Sequence, residues 1–253
     1  MKLERTQMSS DFNQKRTDMY KDTIKHPGVR YGELTSFGLI EDRSQKKIID
    51  IASGNGYLTE YLLKLFPNAK VIAQESSGFM RENNNIDSDR MEIIEEEIFD
   101  TKIKSNSLDL AFSLASFHHI NNKKNTLREI NRILKPNGQL FIADVADNTP
   151  AQKFFDKVVS KHCITGHNFD FLDNSWIKYL AEETGFKLVS SKVKETPWIF
   201  DNKKQMLDFV KNLTGLEISD KLLLKFLKEI FKIEEDKDKT VLQWQLGYYL
   251  LKK

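Results

Sequence analysis

The chain has 253 residues, of which 40% are hydrophobic and 30% are charged. That balance is typical of a globular protein with a sizeable buried core, and it excludes a disordered or fibrous chain. The net charge of +2 does not by itself predict a nucleic-acid-binding protein. The single cysteine, Cys163, excludes an internal disulfide and a metal site built from cysteines.

The first residues give no sign of an export signal. Residues 1–16 are polar and charged and contain no apolar stretch. No run of about 18 apolar residues occurs in the sequence, so no membrane-spanning helix is predicted. These features predict a cytoplasmic protein with no membrane partner.

Strand and helix patterns alternate along most of the chain. An amphipathic helix is predicted over residues 11–25, within an N-terminal helical lid of residues 1–40. Residues 41–253 form the predicted main domain, in which short apolar runs indicate buried strands. Strands that alternate with helices predict the α/β class, here a doubly wound, mostly parallel seven-stranded sheet. The predicted strands cover residues 48–51, 71–73, 91–94, 108–114, 140–145, 186–193 and 241–251.

A long insertion separates the last two predicted strands. Residues 197–239 contain two helical patterns, around 203–213 and 219–232, and the charged run 233–239 is predicted to be a solvated loop. Long insertions of this kind often carry function, although a packed cap is the simpler interpretation. Three large aromatic residues near it are predicted to be core residues: Trp198, Phe200 and Trp244.

The strongest chemical signal is the stretch Asp50-Ile51-Ala52-Ser53-Gly54-Asn55-Gly56, between the first strand and the first helix of the main domain. Glycines at this point of an α/β sheet let the backbone approach a ligand closely. Glu75 ends the next strand, where a carboxylate is placed to accept hydrogen bonds from ribose hydroxyls. Two features disfavour a dinucleotide such as NAD: Thr59 occupies the third glycine position, and Asp50 would repel a pyrophosphate.

The central part of the sequence resembles a known family. Residues 48–145 are similar to the core of class I S-adenosylmethionine-dependent methyltransferases, which have a Rossmann-like fold. The Asp50 to Gly56 stretch resembles the family's first motif, D-x-G-x-G-x-G, with Ala52 in place of the first glycine. Glu75 resembles the family's acidic residue for the ribose. Residues 108–113 resemble its fourth strand, and residues 132–138 resemble the turn before its fifth strand.

The resemblance implies S-adenosylmethionine as the cofactor, S-adenosylhomocysteine as the product, and a role for each residue of the cofactor site. Asp50 is expected near the methionine ammonium group, and Ser113 near the methionine end. Glu75 is expected to bind the ribose hydroxyls, with Ser76 beside it. Glu97 is expected to accept a hydrogen bond from the adenine amino group, unless it is only a solvated member of an acidic run. The remaining expected contacts are Ala52, Gly54 and Gly56 against the cofactor, and Ile98 against the adenine.

Methyl transfer requires little chemistry from the protein, because the sulfonium methyl group is already electrophilic. The protein must align the acceptor with the methyl carbon and exclude water. His118 and His119 follow the fourth strand at the ligand-binding edge, so either is a candidate base or acceptor-positioning group; a structural role is the alternative. Asp144, at the end of the fifth strand, is the third catalytic candidate or a helix cap.

No metal site is predicted. His162 and His167 flank Cys163, but their spacing matches no standard metal-binding pattern, and no second pair of ligands follows.

The sequence gives its weakest indication for the identity of the methyl acceptor. A small molecule is the leading prediction. Residues 196–200 and 246–250 loosely resemble the layout of malonyl-carrier-protein O-methyltransferases of biotin synthesis, so a carrier-bound acceptor is the alternative. A nucleic-acid acceptor is disfavoured, because no basic stripe with interleaved aromatic residues occurs. Ala52 leaves open a non-catalytic protein that binds S-adenosylmethionine.

Overall fold

A computed structural model of the chain describes residues 14–40, 43–166 and 170–253. Its contacts divide the chain into two compact units. The larger unit comprises residues 33–147, 170–194 and 246–253, and the described part of the smaller unit comprises residues 14–32, 148–166 and 195–245. The predicted boundary at residue 40 and the insertion limits 197–239 stay predictions. The first 13 residues of the predicted lid lie outside the described residues.

Helices and strands alternate through the larger unit, as the sequence predicts. Within the described residues, the α-helices are α1 Gln14–Ile24, α2 Tyr31–Thr35, α3 Tyr57–Leu65, α4 Gly78–Glu82, α5 Lys123–Ile133, α6 Pro150–Phe154, α7 Ser160–His162, α8 Asn174–Glu183, α9 Lys203–Thr214 and α10 Asp220–Ile230. The strands are β1 Lys47–Ile51, β2 Lys70–Gln74, β3 Met91–Ile94, β4 Leu108–Leu114, β5 Leu134–Asp144, β6 Lys187–Glu195, β7 Trp198–Phe200, β8 Ile233–Glu235, β9 Thr240–Leu242 and β10 Gln245–Lys252.

One seven-stranded sheet organises the larger unit. Its strand order is β3-β2-β1-β4-β5-β10-β6. The first five strands of that order pair in parallel, and β10 is antiparallel to β5. The predicted doubly wound, mostly parallel seven-stranded sheet is therefore confirmed. The strand order reverses between β1 and β4, and such a reversal opens a ligand crevice at the carboxyl ends of the two strands.

Burial explains why the central strands read as nearly continuous apolar runs. In β1, Ile48, Ile49 and Ile51 are fully buried, as expected for a parallel strand covered on both faces. One core cluster combines Ile49 and Ile51 with side chains of α5 and α8. Aromatic rings fill another part of the sheet, where Phe112 lies 5.0 Å from Phe141 and 6.1 Å from Phe66, measured between ring centroids.

The smaller unit combines helices with a second sheet of its own. The predicted helical insertion contains α9 and α10, as expected, but also the antiparallel sheet β7-β9-β8. The start of the charged run, Ile233–Glu235, is strand β8, so its prediction as a loop is wrong there. Pairing with β9 satisfies the backbone of these residues while their charged side chains stay exposed. The region predicted as one strand over 241–251 is divided into β9 and β10.

An aromatic core holds the second sheet. Trp198, Phe200 and Trp244 are buried, which confirms their prediction as core residues. The rings of Trp198 and Trp244 stack with a centroid distance of 4.3 Å. Arg16 of α1 donates to the carbonyls of Asn212 (2.8 Å) and Leu213, and so satisfies the end of α9.

Candidate active site

The loop between β1 and α3 has an unusual backbone. Ala52, Gly54 and Gly56 have φ angles of +49°, +59° and +88°, all in the left-handed region. Glycine adopts this region freely, whereas a residue with a Cβ is strained there. The replacement of the motif's first glycine by Ala52 therefore affects the backbone conformation, because the chain has a positive φ at this position. Alanine holds the same turn at an energetic cost.

Asp50 lies near the end of β1 and is 1% exposed. Its Oδ2 accepts a hydrogen bond of 2.6 Å from the Thr59 hydroxyl. Burial raises the pKa of Asp50 to about 7, the Thr59 hydrogen bond acts in the opposite direction, and the nearby charge of Glu75 adds to the rise. Thr59, which replaces the third glycine of a dinucleotide motif, therefore stabilises this carboxyl group.

Glu75 directly follows β2 and faces the same loop. Its Oε2 accepts from the amide of Gly54 and its Oε1 from the amide of Ser77, both at 2.8 Å. Burial raises the pKa of Glu75, and these two backbone hydrogen bonds partly offset the rise. A carboxylate offers about four acceptor positions. The two amides occupy two of them, so capacity remains for two ligand hydroxyls. Ser76 lies beside Glu75 and is partly exposed.

Gln74 organises the loop, and sequence reasoning missed it. Its Oε1 accepts from the Ala52 amide at 3.0 Å, and its Nε2 donates to the Glu96 carbonyl at 2.8 Å. Its backbone carbonyl accepts from the Ser53 amide at 2.9 Å. One side chain therefore connects the loop after β1 with the segment after β3. A polar residue at the end of an otherwise apolar strand was the available signal.

Glu97 and Ile98 follow β3 at the same edge of the sheet. Ile98 is 3% exposed, whereas Glu97 is exposed. Glu97 is near enough to Glu75 for its charge to contribute to the raised pKa of Glu75. The structure therefore brings Glu97 into the surroundings of the ribose candidate, and the adenine roles of Glu97 and Ile98 stay predictions.

Two serines close the floor of the crevice at the end of β4. The hydroxyl oxygens of Ser113 and Ser116 are 2.9 Å apart. Ser116 also donates to the carbonyl of Ile51 at 3.3 Å. Ser113 is fully buried, and its hydroxyl is connected through Ser116 to the end of β1. Ser116 was not predicted as a site residue.

His118 and Asp144 form a buried pair. Asp144 Oδ1 lies 2.6 Å from His118 Nδ1, and Asp144 Oδ2 accepts from the His118 amide at 2.9 Å. The Val145 amide also donates to Oδ1, at 2.7 Å. This arrangement fixes the imidazole ring by one nitrogen, which is how a carboxylate orients a histidine base. His119 lies alongside, with its ring centroid 4.1 Å from that of His118.

Lys123 stabilises the turn that contains His118 and Ile120. Sequence reasoning did not predict this role. Lys123 is 6% exposed, and its Nζ donates to the carbonyls of Ile120 (2.8 Å) and His118 (3.4 Å). Burial lowers the pKa of Lys123, while the carboxylates of Asp144 and Asp170 act in the opposite direction. A lysine at the start of a helix gives no sequence signal for such a role.

In the described part of the chain, no group of three or more His, Cys, Asp or Glu side chains is arranged to hold a metal ion. The ring centroids of His162 and Phe226 are 6.3 Å apart. His167 lies outside the described residues. No described helix is both long enough and apolar enough to cross a membrane.

The strand order, the positive-φ loop after β1 and the buried carboxylate after β2 define a class of protein. A family model described as a methyltransferase domain matches residues 49–142, and together with these features it supports a class I S-adenosylmethionine-dependent methyltransferase. The resemblance of residues 48–145 and the enzyme class are thereby confirmed.

Named relatives of the chain share a third or less of their aligned residues with it. Malonyl-[acyl-carrier protein] O-methyltransferase from Paenibacillus sp. is 24% identical over 215 residues, which cover 77% of this chain and 76% of the relative. The enzyme of the same name from Priestia megaterium is 33% identical over 104 residues, which cover 40% of this chain but only 38% of that relative. An S-adenosylmethionine-dependent methyltransferase structure from Thermotoga maritima matches with a TM-score of 0.60 and 16% identity, over 93% of this chain and 96% of that one. That structural likeness shows the fold alone.

Proposed function

We propose that the chain binds S-adenosylmethionine on the loop after β1 and transfers its methyl group to a small-molecule acceptor by in-line displacement. The observation that carries the proposal is the pair of buried carboxyl groups, Asp50 and Glu75, on either side of a loop with three positive φ angles. The bound cofactor would supply an electrophilic methyl carbon on a sulfonium that leaves as a neutral thioether.

The residues of the loop fit a cationic, hydroxyl-bearing cofactor. Within the described residues, no cationic side chain pairs with Asp50, so an ammonium group would supply its missing counter-charge. Glu75 retains acceptor capacity for ribose hydroxyls. The buried hydroxyl of Ser53 has no hydrogen-bond partner in the structure, which is unusual for a buried polar atom. An anionic pyrophosphate would be repelled by the Asp50 carboxylate, which argues against an NAD-dependent oxidoreductase.

The cofactor proposal is tested by calorimetric titration with S-adenosylmethionine, S-adenosylhomocysteine and NAD. We expect binding of the first two only. Glu75→Gln should weaken it by about tenfold to a hundredfold, because hydrogen bonds to charged groups contribute about 1.5–3 kcal/mol. Glu92→Gln is the matched control: Glu92 is an exposed carboxylate on the neighbouring β3, and its replacement should leave affinity unchanged. Binding of NAD in preference to the other two would overturn the proposal.

His118 is proposed as the base for acceptors that lose a proton on methylation. Asp144 would hold the imidazole ring in one orientation through its contact with Nδ1. Once an acceptor is in hand, His118→Asn should lower kcat by about 10²–10⁴-fold and abolish the ascending limb of the pH–rate profile, with cofactor affinity retained. His119→Asn is the control on the adjacent ring. A loss of thermal stability with an unchanged pH profile would instead assign His118 a structural role.

A carrier-bound malonyl group is the second candidate acceptor. The two named relatives above favour it, since both carry the name malonyl-[acyl-carrier protein] O-methyltransferase. The discriminating measurement is the release of S-adenosylhomocysteine with malonyl-carrier protein against unloaded carrier and a panel of free small molecules. Turnover that requires the malonyl-carrier conjugate would replace the small-molecule proposal.

A further inference from the structure

A cavity lies in the larger unit, at the opposite edge of the sheet from the cofactor loop. It has a volume of about 980 Å³ and borders Lys46, just before β1, as well as Asp109 and Lys135, at the starts of β4 and β5. These are the amino ends of parallel strands, whereas the loop after β1 lies at their carboxyl ends. The residues proposed above for methyl transfer do not line this cavity, so methyl transfer leaves it without a role.

The floor of the cavity is aromatic. Phe37, Phe141 and Tyr248 line it. Phe37 lies 6.0 Å from Tyr248 and 5.5 Å from the buried Phe112, and Phe141 stacks on Phe112 at 5.0 Å, all measured between ring centroids. Phe141 and Tyr248 are only partly buried. A concave surface that leaves aromatic rings partly open to solvent is typical of a site for an apolar or aromatic ligand body.

One wall of the cavity is cationic. Ser190, Lys192 and Lys194 alternate along β6 and all line the cavity, as residues on one side of a strand do. The Nζ of Lys194 lies 5.0 Å from the centroid of the Tyr248 ring. Among the described residues, neither Lys192 nor Lys194 has a carboxylate partner. Burial and the charge of Lys192 both lower the pKa of Lys194, so the two ammonium groups repel each other and would gain from an anion between them.

The carboxylate that lines the cavity is already neutralised. Asp109 pairs with Lys135 at 2.5 Å and accepts from the amides of Lys46 and Lys47, at 2.9 Å each. This carboxylate is therefore engaged away from β6. The uncompensated charge on the described wall is positive, and it lies beside an apolar floor.

We propose that this cavity is a second ligand site, which binds an amphipathic organic anion with an apolar or aromatic body. The anionic group lies between Lys192 and Lys194, and the body packs on Phe37, Phe141 and Tyr248. This site does not depend on the identity of the methyl acceptor or on cofactor binding.

The test uses the whole chain and the fluorescent anion 8-anilinonaphthalene-1-sulfonate as the probe. We expect saturable binding that weakens as salt is added, because the head-group contact is electrostatic. The double variant K192Q/K194Q should bind the probe about tenfold or more weakly, since each lost charge contact near the surface is a substantial part of such an affinity. K187Q/K237Q is the matched control: both lysines are exposed and lie outside the cavity, so affinity should stay within about twofold.

Competition and steric occlusion complete the test. Decanoate should displace the probe and decan-1-ol should do so far less well, because only the carboxylate reaches the lysines. Ser190→Trp should fill the space beside the lysines and abolish binding without removing a charge. Thermal unfolding of each variant shows that the fold is retained. Unchanged probe affinity in K192Q/K194Q, or in Ser190→Trp, would overturn the proposal.

Discussion

Replacement of Asp50 with asparagine should stabilise the folded protein, and the gain should grow with pH. Asparagine keeps an oxygen that can accept the hydrogen bond from Thr59, now 2.6 Å long, but it removes a carboxyl group that is 1% exposed. Burial raises the pKa of Asp50 from an ordinary value of 3.8 to about 7. The folded state therefore holds a proton that the unfolded state releases at lower pH.

The size and sign of the effect follow from these two pKa values. Below about pH 4 the carboxyl group is protonated in both states, and it carries no penalty. Between about pH 4 and pH 7 only the unfolded state ionises, so the stability of the wild type falls as pH rises. Above about pH 7 the penalty is constant at about 4 kcal/mol, from about 1.36 kcal/mol per pKa unit. Between pH 5 and pH 8 the advantage of Asp50→Asn should increase by about 2–3 kcal/mol.

The assay is urea unfolding at pH 5 and pH 8, followed by far-ultraviolet circular dichroism. The control is Asp109→Asn. Although partial burial acts in the other direction, the Lys135 contact and the amides of Lys46 and Lys47 lower the pKa of Asp109. The stabilisation from Asp109 is thus fully present at both pH values, and its loss should be nearly independent of pH. An Asp50→Asn advantage that is equal at pH 5 and pH 8 would refute the raised pKa.

Two further predictions concern the loop backbone. Ala52→Gly should stabilise the protein by about 1 kcal/mol, because it relieves a positive φ of 49°; thermal unfolding checks this, and a loss of stability would contradict it. Gly56→Ala should be more destabilising than Gly54→Ala, although both positions have a positive φ. A Cβ on Gly56 would lie 2.6 Å from Ile86, whereas one on Gly54 meets only the flexible end of Met80 at 3.1 Å. Equal unfolding midpoints for these two variants would contradict that ranking.

The main sheet could be predicted from the sequence because its strands are buried on both faces. Runs such as Ile48–Ile51 have no polar residue except Asp50, and helical periodicity separates them from one another. The small sheet of the other unit could not be predicted from the sequence. Its strands β7, β8 and β9 have three residues each, which is too short for an alternation pattern. Strand β8 also carries two exposed charges, and only its pairing with β9 makes it a strand.

The candidate site divides in the same way. Asp50 and Glu75 were predictable because each ends or nearly ends an apolar strand, a position that topology alone brings to the crevice. Gln74 and Lys123 were not predictable, because their roles depend on which carbonyls and amides lie within reach in three dimensions. The pairing of His118 with Asp144 crosses 26 residues, and the sequence placed both at one edge without indicating that they touch.

The burial of Asp50 and Glu75 opposes folding but favours the proposed cofactor. Both pKa values are raised by burial, so the apo protein carries a standing electrostatic cost at neutral pH. A cation bound between them removes part of that cost, and any ligand that binds only the folded state stabilises it in proportion to its affinity. S-Adenosylmethionine carries a sulfonium charge that S-adenosylhomocysteine lacks. If the two carboxylates sense that charge, the ratio of the two affinities should shift toward S-adenosylmethionine as pH rises through about 7, and Asp50→Asn should remove the shift. The ammonium group near Asp50 is common to both molecules, so the shift would report only the sulfonium charge that is lost when the methyl group is transferred.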